Sequence, residues 1–175
     1  MTERNENSTG TQDLIEAAAN GNLKKVQDLI NQGVSVNRFV GFLESLHVYD
    51  WTPLHAAAAF GQVRILTELL KSGAEVDACR VELLTPLILA ADEGHTEIVK
   101  LLIENGAEIN HIDRYKRNAV HRAAASGHIE IVKMLVEAGI NVSLVDETGC
   151  TPLDMAAAKH NDTPEMKTLL TPPRR

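Results

Sequence analysis

Apolar and polar positions recur along this chain with a period of 33 residues. Two series of glycines have this spacing: Gly61, Gly94 and Gly127, and Gly73, Gly106 and Gly139. The segments Ala90–Gly106 and Ala123–Gly139 are identical at 11 of 17 aligned positions, which is too many for coincidence. The chain is therefore built from internal repeats.

Each repeat predicts two short helices. A Thr-Pro pair such as Thr52-Pro53 opens the first helix, because the threonine hydroxyl accepts free N–H groups and proline suits the first helical position. An alanine-rich stretch follows and ends at a glycine. The second helix has apolar residues at three- and four-residue spacing, as in Ile98–Leu102, and also ends at a glycine. Such a pair cannot bury its apolar face alone, so neighbouring units should stack.

The period, TPLH at 52–55 and GHTEIVKLLIENGAEIN at 94–110 closely resemble the ankyrin repeat. The resemblance covers roughly residues 13–170. It implies an all-α fold, a solenoid of stacked helix-turn-helix units with β-hairpin-like fingers along one edge. It also implies protein–protein binding through the fingers and the concave face.

Five units are expected, with the first and last acting as caps. Their bounds are about 13–46, 47–79, 80–112, 113–145 and 146–170. A disordered polar tail over 1–12 and a short tail over 171–175 complete the chain. In the last unit His160 replaces the glycine between the helices, and the second helix is shifted near Thr163-Pro164, as expected of a terminal cap.

Composition narrows the class of protein. The net charge of −7 argues against nucleic acid, because binding phosphate needs a basic surface. The sequence has no run of ~20 apolar residues that would span a membrane, and the polar N-terminus does not resemble a signal peptide. Two cysteines are too few for a disulfide framework. We expect a monomer inside the cell, in the cytoplasm or nucleus.

Candidate chemistry is weak throughout the chain. His55 and His121 lie in TPLH-type positions, and His95 and His128 recur 33 residues apart, so their periodicity favours a structural role. By resemblance these histidines bond to local backbone and to the capping threonine. The other histidines have no ligand partners at metal-binding spacing, and no phosphate loop or nucleophile motif is present. We expect no enzyme, no metal and no cofactor.

An insertion interrupts the repeat. Gly21 and Gly61 are 40 residues apart instead of 33, so seven extra residues lie within Arg38–Val48. Four of the six aromatic residues fall in 38–51, and with Leu43 they form a candidate partner site: Phe39, Phe42, Leu43, Tyr49 and Trp51. Clustered exposed aromatics mark binding surfaces. Alternatively, they fold back and seal the core of the first repeat.

The next finger is unusually apolar. Val81, Leu83 and Leu84 stand where the family commonly has a polar turn with glycine, and Leu83 takes the position that Gly149 keeps in the last unit. Stacked fingers should lie roughly 10 Å apart. We therefore predict one apolar groove over the first three fingers.

The fourth unit is locally basic. Residues 111–122 have a net charge of +3 with histidines neutral, since four basic residues face one acid, Asp113. The candidate binding residues here are Arg114, Tyr115, Lys116, Arg117 and Arg122. This reversal on an acidic protein could steer an acidic or phosphorylated segment. The alternative is an ordinary solvated charge run.

The leading hypothesis is a non-enzymatic adaptor, inhibitor or regulatory subunit whose partner has an apolar and partly acidic segment. The alternatives are a scaffold subunit of a larger complex and a bacterial effector that binds a host protein. Asn110 resembles the asparagine that oxygenases hydroxylate in some ankyrin repeats, although it is also a common turn residue of the motif.

Overall fold

The structure is a computed structural model that describes residues 3–43, 48–79 and 82–172. These residues form ten helices and one two-stranded antiparallel sheet. In chain order the elements are α1 Glu3–Ala19, α2 Leu23–Asn31, β1 Val40–Leu43, β2 Val48–Trp51, α3 Pro53–Ala59, α4 Val63–Lys71, α5 Pro86–Glu93, α6 Thr96–Glu104, α7 Ala119–Ser126, α8 Ile129–Glu137, α9 Pro152–Ala158 and α10 Pro164–Leu170.

The helices form two layers of consecutive neighbours. The first helix of each pair packs on the first helix of the next, in the order α1, α3, α5, α7, α9. The second helices follow the same order, α2, α4, α6, α8, α10. The predicted all-α solenoid is confirmed. The inserted residues extend one finger into the β1–β2 hairpin, in which Val40 pairs with Trp51 and Phe42 with Tyr49.

One continuous core runs between the layers, from Leu14 to Leu170. The first helices contribute mainly alanines that are fully buried, among them Ala56, Ala90 and Ala123. Their small side chains let these helices approach closely, while leucine and isoleucine from the second helices fill the remaining volume. No helix among the described residues is long and apolar enough to cross a membrane.

Polar side chains join each unit to the preceding one. Side-chain N–H groups one repeat apart donate to carbonyl oxygens at the end of the preceding first helix, over 2.7–3.0 Å. The donor–acceptor pairs are Gln62–Ala19, His95–Ala59, His128–Asp92 and Asn161–Ala125. His95 and His128 are thus structural, although they bond across units and not to their own backbone. We call these four contacts the inter-unit ladder.

The ladder explains the glycine between the two helices of a unit. Gly94 has φ 83°, which favours glycine, and a Cβ there would lie 2.5 Å from the ring of His128. In the last unit His160 takes the same position with φ 61°. A side chain is tolerated at this position because, within the described residues, no following unit places a ladder side chain next to it.

Residues 3–12 differ from the predicted disordered tail over 1–12, because α1 already begins at Glu3. Thr11 is only 2% exposed, and a Cβ at Gly10 would lie 3.2 Å from Val34. Polar composition alone therefore suggested disorder where the fold provides a packing partner.

Candidate protein-binding surface

Two aromatic side chains meet along helix α3. Trp51 precedes the N-terminal end of the helix and Phe60 follows its C-terminal end. Their ring centroids are 6.2 Å apart with an edge-to-face angle of 63°. Trp51 is half-buried and packs against the core, whereas Phe60 is 45% exposed. The pair therefore presents aromatic surface along the first-helix side of the stack.

His55 connects this pair to the next finger. The Trp51 and His55 rings are stacked with centroids 6.4 Å apart. His55 Nδ1 lies 3.2 Å from the Thr52 N–H that donates to it, and its Nε2–H donates to the carbonyl of Leu84 over 3.0 Å. Trp51 and Leu84 thus flank one buried imidazole. We call Trp51, Phe60, Leu83 and Leu84 the apolar face.

His55 should make stability depend on pH. Burial lowers the pKa of His55 to about 4, although the hydrogen bond to Leu84 opposes this shift. The neutral ring is therefore favoured in the folded state. This contribution is complete above pH ~6.5, the pKa expected when unfolded, and is lost as the pH falls towards 4. Between pH 7 and 4.5 we expect the unfolding free energy to drop by about 2–3 kcal/mol on account of His55.

Urea denaturation at the two pH values measures this drop. His55→Ile copies the residue of the third unit, Ile88, and removes the titration. The variant should have a smaller difference between the two pH values, whatever its absolute stability. An equal difference in wild type and variant would contradict the assignment.

Leu83 occupies a strained backbone position. The third residue before the first helix of each of the last four units has positive φ: Asp50 53°, Leu83 54°, Lys116 59° and Gly149 83°. Leucine is disfavoured in this left-handed conformation, and its side chain is 42% exposed. Strained residues of this kind often serve a function at the expense of stability.

Leu83→Gly separates stability from binding. Relief of the left-handed conformation should raise the unfolding free energy by about 1 kcal/mol, while loss of the exposed side chain should weaken partner binding. Lys116→Gly is the matched control, since it relieves the same conformation without removing an apolar group. Thermal melting and an affinity measurement on both variants test this, and equal partner affinity in the two would count against a binding role for Leu83.

The inserted finger is divided between core and surface. Val40 and Trp51 pack against the core, whereas Phe39 is 38% exposed and lines a cavity of about 210 Å³ with Thr52 and Cys79. The segment thus adds Val40 and Trp51 to the core and leaves Phe39 at the surface. The side chains of Phe42, Leu43 and Tyr49, and the whole of Val81, lie outside the described residues.

The basic residues of the fourth unit are largely paired. Arg114 binds Glu82 over 2.7 Å and also Tyr115, whose ring lies beneath it. Arg117 donates two hydrogen bonds to Asp146, over 2.8 and 2.9 Å. Arg122 contacts Asp113 at 2.5 Å and Asp92 at 3.4 Å. Of the four basic residues, only Lys116 forms no ion pair within the described part of the chain.

Carboxylates of the neighbouring units therefore offset the local excess of positive charge when the units stack. Glu82, Asp92 and Asp146 belong to neighbouring units about one period away in sequence, so a count over 111–122 misses them. Burial acts to raise the pKa of Asp146, but hydrogen bonds from Thr148, Cys150 and Arg117 keep it well below its usual range. Ion pairs with Glu82, Asp92 and Asp146 thus hold the three arginines in place.

Phe60 is the candidate residue that the sequence reasoning missed. A signal was available, because the equivalent positions of the other units are polar or charged: Asn20, Glu93, Ser126 and Lys159. A lone aromatic residue in such a series stands out. Phe60 lies outside the inserted finger, where four of the six aromatic residues cluster, so a criterion of clustering does not select it.

Comparison with known families agrees with this architecture. The family model for ankyrin repeats matches residues 14–113 and 87–173. The matched segments span nearly the whole chain, so the chain belongs to the ankyrin-repeat family, whose repeats serve protein–protein interaction.

A curated relative shares part of this sequence. The chain is 35% identical over 75 residues to the human protein named oxysterol-binding protein-related protein 1. The aligned segment is 41% of this chain and 8% of that protein. Because so little of the human protein is covered, the similarity transfers neither a ligand nor an activity to this chain.

Proposed function

We propose that this protein is a non-enzymatic adaptor, inhibitor or regulatory subunit that binds a partner protein through its fingers and first-helix face. The observation that carries the proposal is the exposed Phe60 in edge-to-face contact with the half-buried Trp51. Aromatic side chains provide large, rigid contact areas and are enriched among residues that dominate binding energy.

The surroundings of this pair support the proposal. His55 links Trp51 to Leu84 on the next finger, and Leu83 beside Leu84 is held exposed in an unfavourable conformation. Phe60 contributes little to the core, so a polar residue would serve folding equally well at that position. A role in binding would explain why Leu83 and Phe60 are apolar and exposed, which the stability of the fold does not require.

Cys79 and Cys150 are free thiols. Free cysteines accord with a reducing compartment, and we therefore propose that binding takes place in the cytoplasm or nucleus. The protein acts as a monomer in this proposal, with its apolar face available to a different chain.

Affinity capture from cell extract tests the proposal. Immobilised wild type should retain a partner that Phe60→Ala fails to retain. Val145→Ala is the matched control, because Val145 is also apolar and 45% exposed but lies three units away from the first finger. A retained set of proteins that is the same for all three baits would reject the apolar face as the binding surface.

A further inference from the structure

We propose that the partner segment carries a lysine or arginine directly beside the apolar side chain that contacts Phe60. The inference rests on the proposed function and specifies the chemistry of the partner. It reverses the sign of charge expected from the sequence, where an apolar and partly acidic segment was predicted. The reason lies in the residues next to the apolar face.

Glu93 is the neighbour of Phe60 in the adjacent unit. Both occupy the same repeat position, at the end of the first helix, one period apart. The two turns are in contact, because His95 donates to the carbonyl of Ala59 over 3.0 Å and its ring covers Gly61. Phe60 lies between Ala59 and Gly61, and Glu93 lies two residues before His95. A ligand that covers Phe60 therefore reaches Glu93.

Glu93 offers an unused negative charge. It is exposed at the end of α5, and no ion pair within the described residues involves it. Asp92 lies beside it and already contacts Arg122 at 3.4 Å and Ser126 at 3.1 Å. Lys159 holds the equivalent position two units further along the stack. The residue equivalent to Phe60 is thus acidic in the adjacent unit and basic only two units further away.

The finger side of the apolar face has a carboxylate directly beside Trp51. Asp50 directly precedes Trp51, with its backbone in the left-handed conformation at φ 53°, and Glu82 precedes Leu83. Glu82 is paired with Arg114, so it adds no free charge. An acidic partner would meet Glu93 and Asp50 with like charge, whereas a cationic side chain complements both.

Selection from a displayed library of random 12-residue peptides tests the inference. The four baits are wild type, Glu93→Lys, Glu97→Lys and Phe60→Ala. Glu97 is the matched control, since it is an exposed acid in the first turn of α6 and gives the same change in net charge. The best wild-type peptide is then synthesised and titrated against each bait at low and high salt.

We expect wild type and Glu97→Lys to enrich peptides with lysine or arginine next to an aliphatic or aromatic residue. Glu93→Lys should lose the preference for cations and bind the fixed peptide about five-fold more weakly, with less difference at high salt. Acidic or uncharged consensus peptides on wild type, or unchanged affinity in Glu93→Lys, would overturn the inference alone. Peptides that bind Phe60→Ala as well as wild type would overturn the proposed function.

Discussion

Gly94→Ala should destabilise the protein by roughly 3 kcal/mol, the largest effect that we expect from adding a single methyl group. An L-residue at φ 83° costs about 1–2 kcal/mol. The new Cβ would also meet the His128 ring at 2.5 Å, and overpacking of this kind costs about 1–3 kcal/mol. Moving the ring away would break its hydrogen bond to Asp92.

Gly106→Ala provides the control within the same unit. Gly106 has φ 84°, and a Cβ there would meet nothing within 4 Å. This variant bears only the backbone penalty of about 1 kcal/mol. Denaturant titration of both variants should therefore separate them by roughly 2 kcal/mol. Equal losses would mean that the ladder does not constrain the glycine.

Trp51→Ala should affect both stability and binding. The side chain is half-buried against the core and contacts His55 and Phe60, so truncation should cost about 2 kcal/mol, less than for a fully buried tryptophan. Partner affinity should also fall at least about ten-fold, as is typical of an aromatic binding residue. Chemical denaturation and partner titration measure the two effects.

The outcome decides between the two interpretations of the inserted finger. A stability loss with unchanged affinity would mean that Trp51 only seals the core. An affinity loss without a change in stability would mean that it only binds. We expect both effects, because Trp51 packs partly against the core and also contacts the exposed Phe60.

The repeat architecture could be predicted because its signals are local. Thr85 caps its helix by accepting the Ile88 N–H over 3.3 Å, and Asn118 does the same for His121 over 3.4 Å. The glycines at 73, 106 and 139 adopt the left-handed conformation that their positions after the second helices predicted. Each of these features depends on a few consecutive residues, which the sequence displays directly.

Charge pairing could not be predicted in the same way. Arg117 and Asp146 are 29 residues apart and Arg114 and Glu82 are 32 apart, so their contacts appear only when adjacent units are aligned. The same holds for Phe60 and Glu93, which are neighbours across the stack. The composition of a window describes one unit, whereas the surface that a partner meets is formed by several units.

The most direct test of the central claim is the dissociation constant of the captured partner for Phe60→Ala. Phe60 is exposed, so the variant should keep the unfolding free energy within about 1 kcal/mol of wild type while binding at least about ten-fold more weakly. Val145→Ala should bind as wild type does. Unchanged affinity in Phe60→Ala, or an equal loss in Val145→Ala, would contradict the assignment of the apolar face as the binding surface.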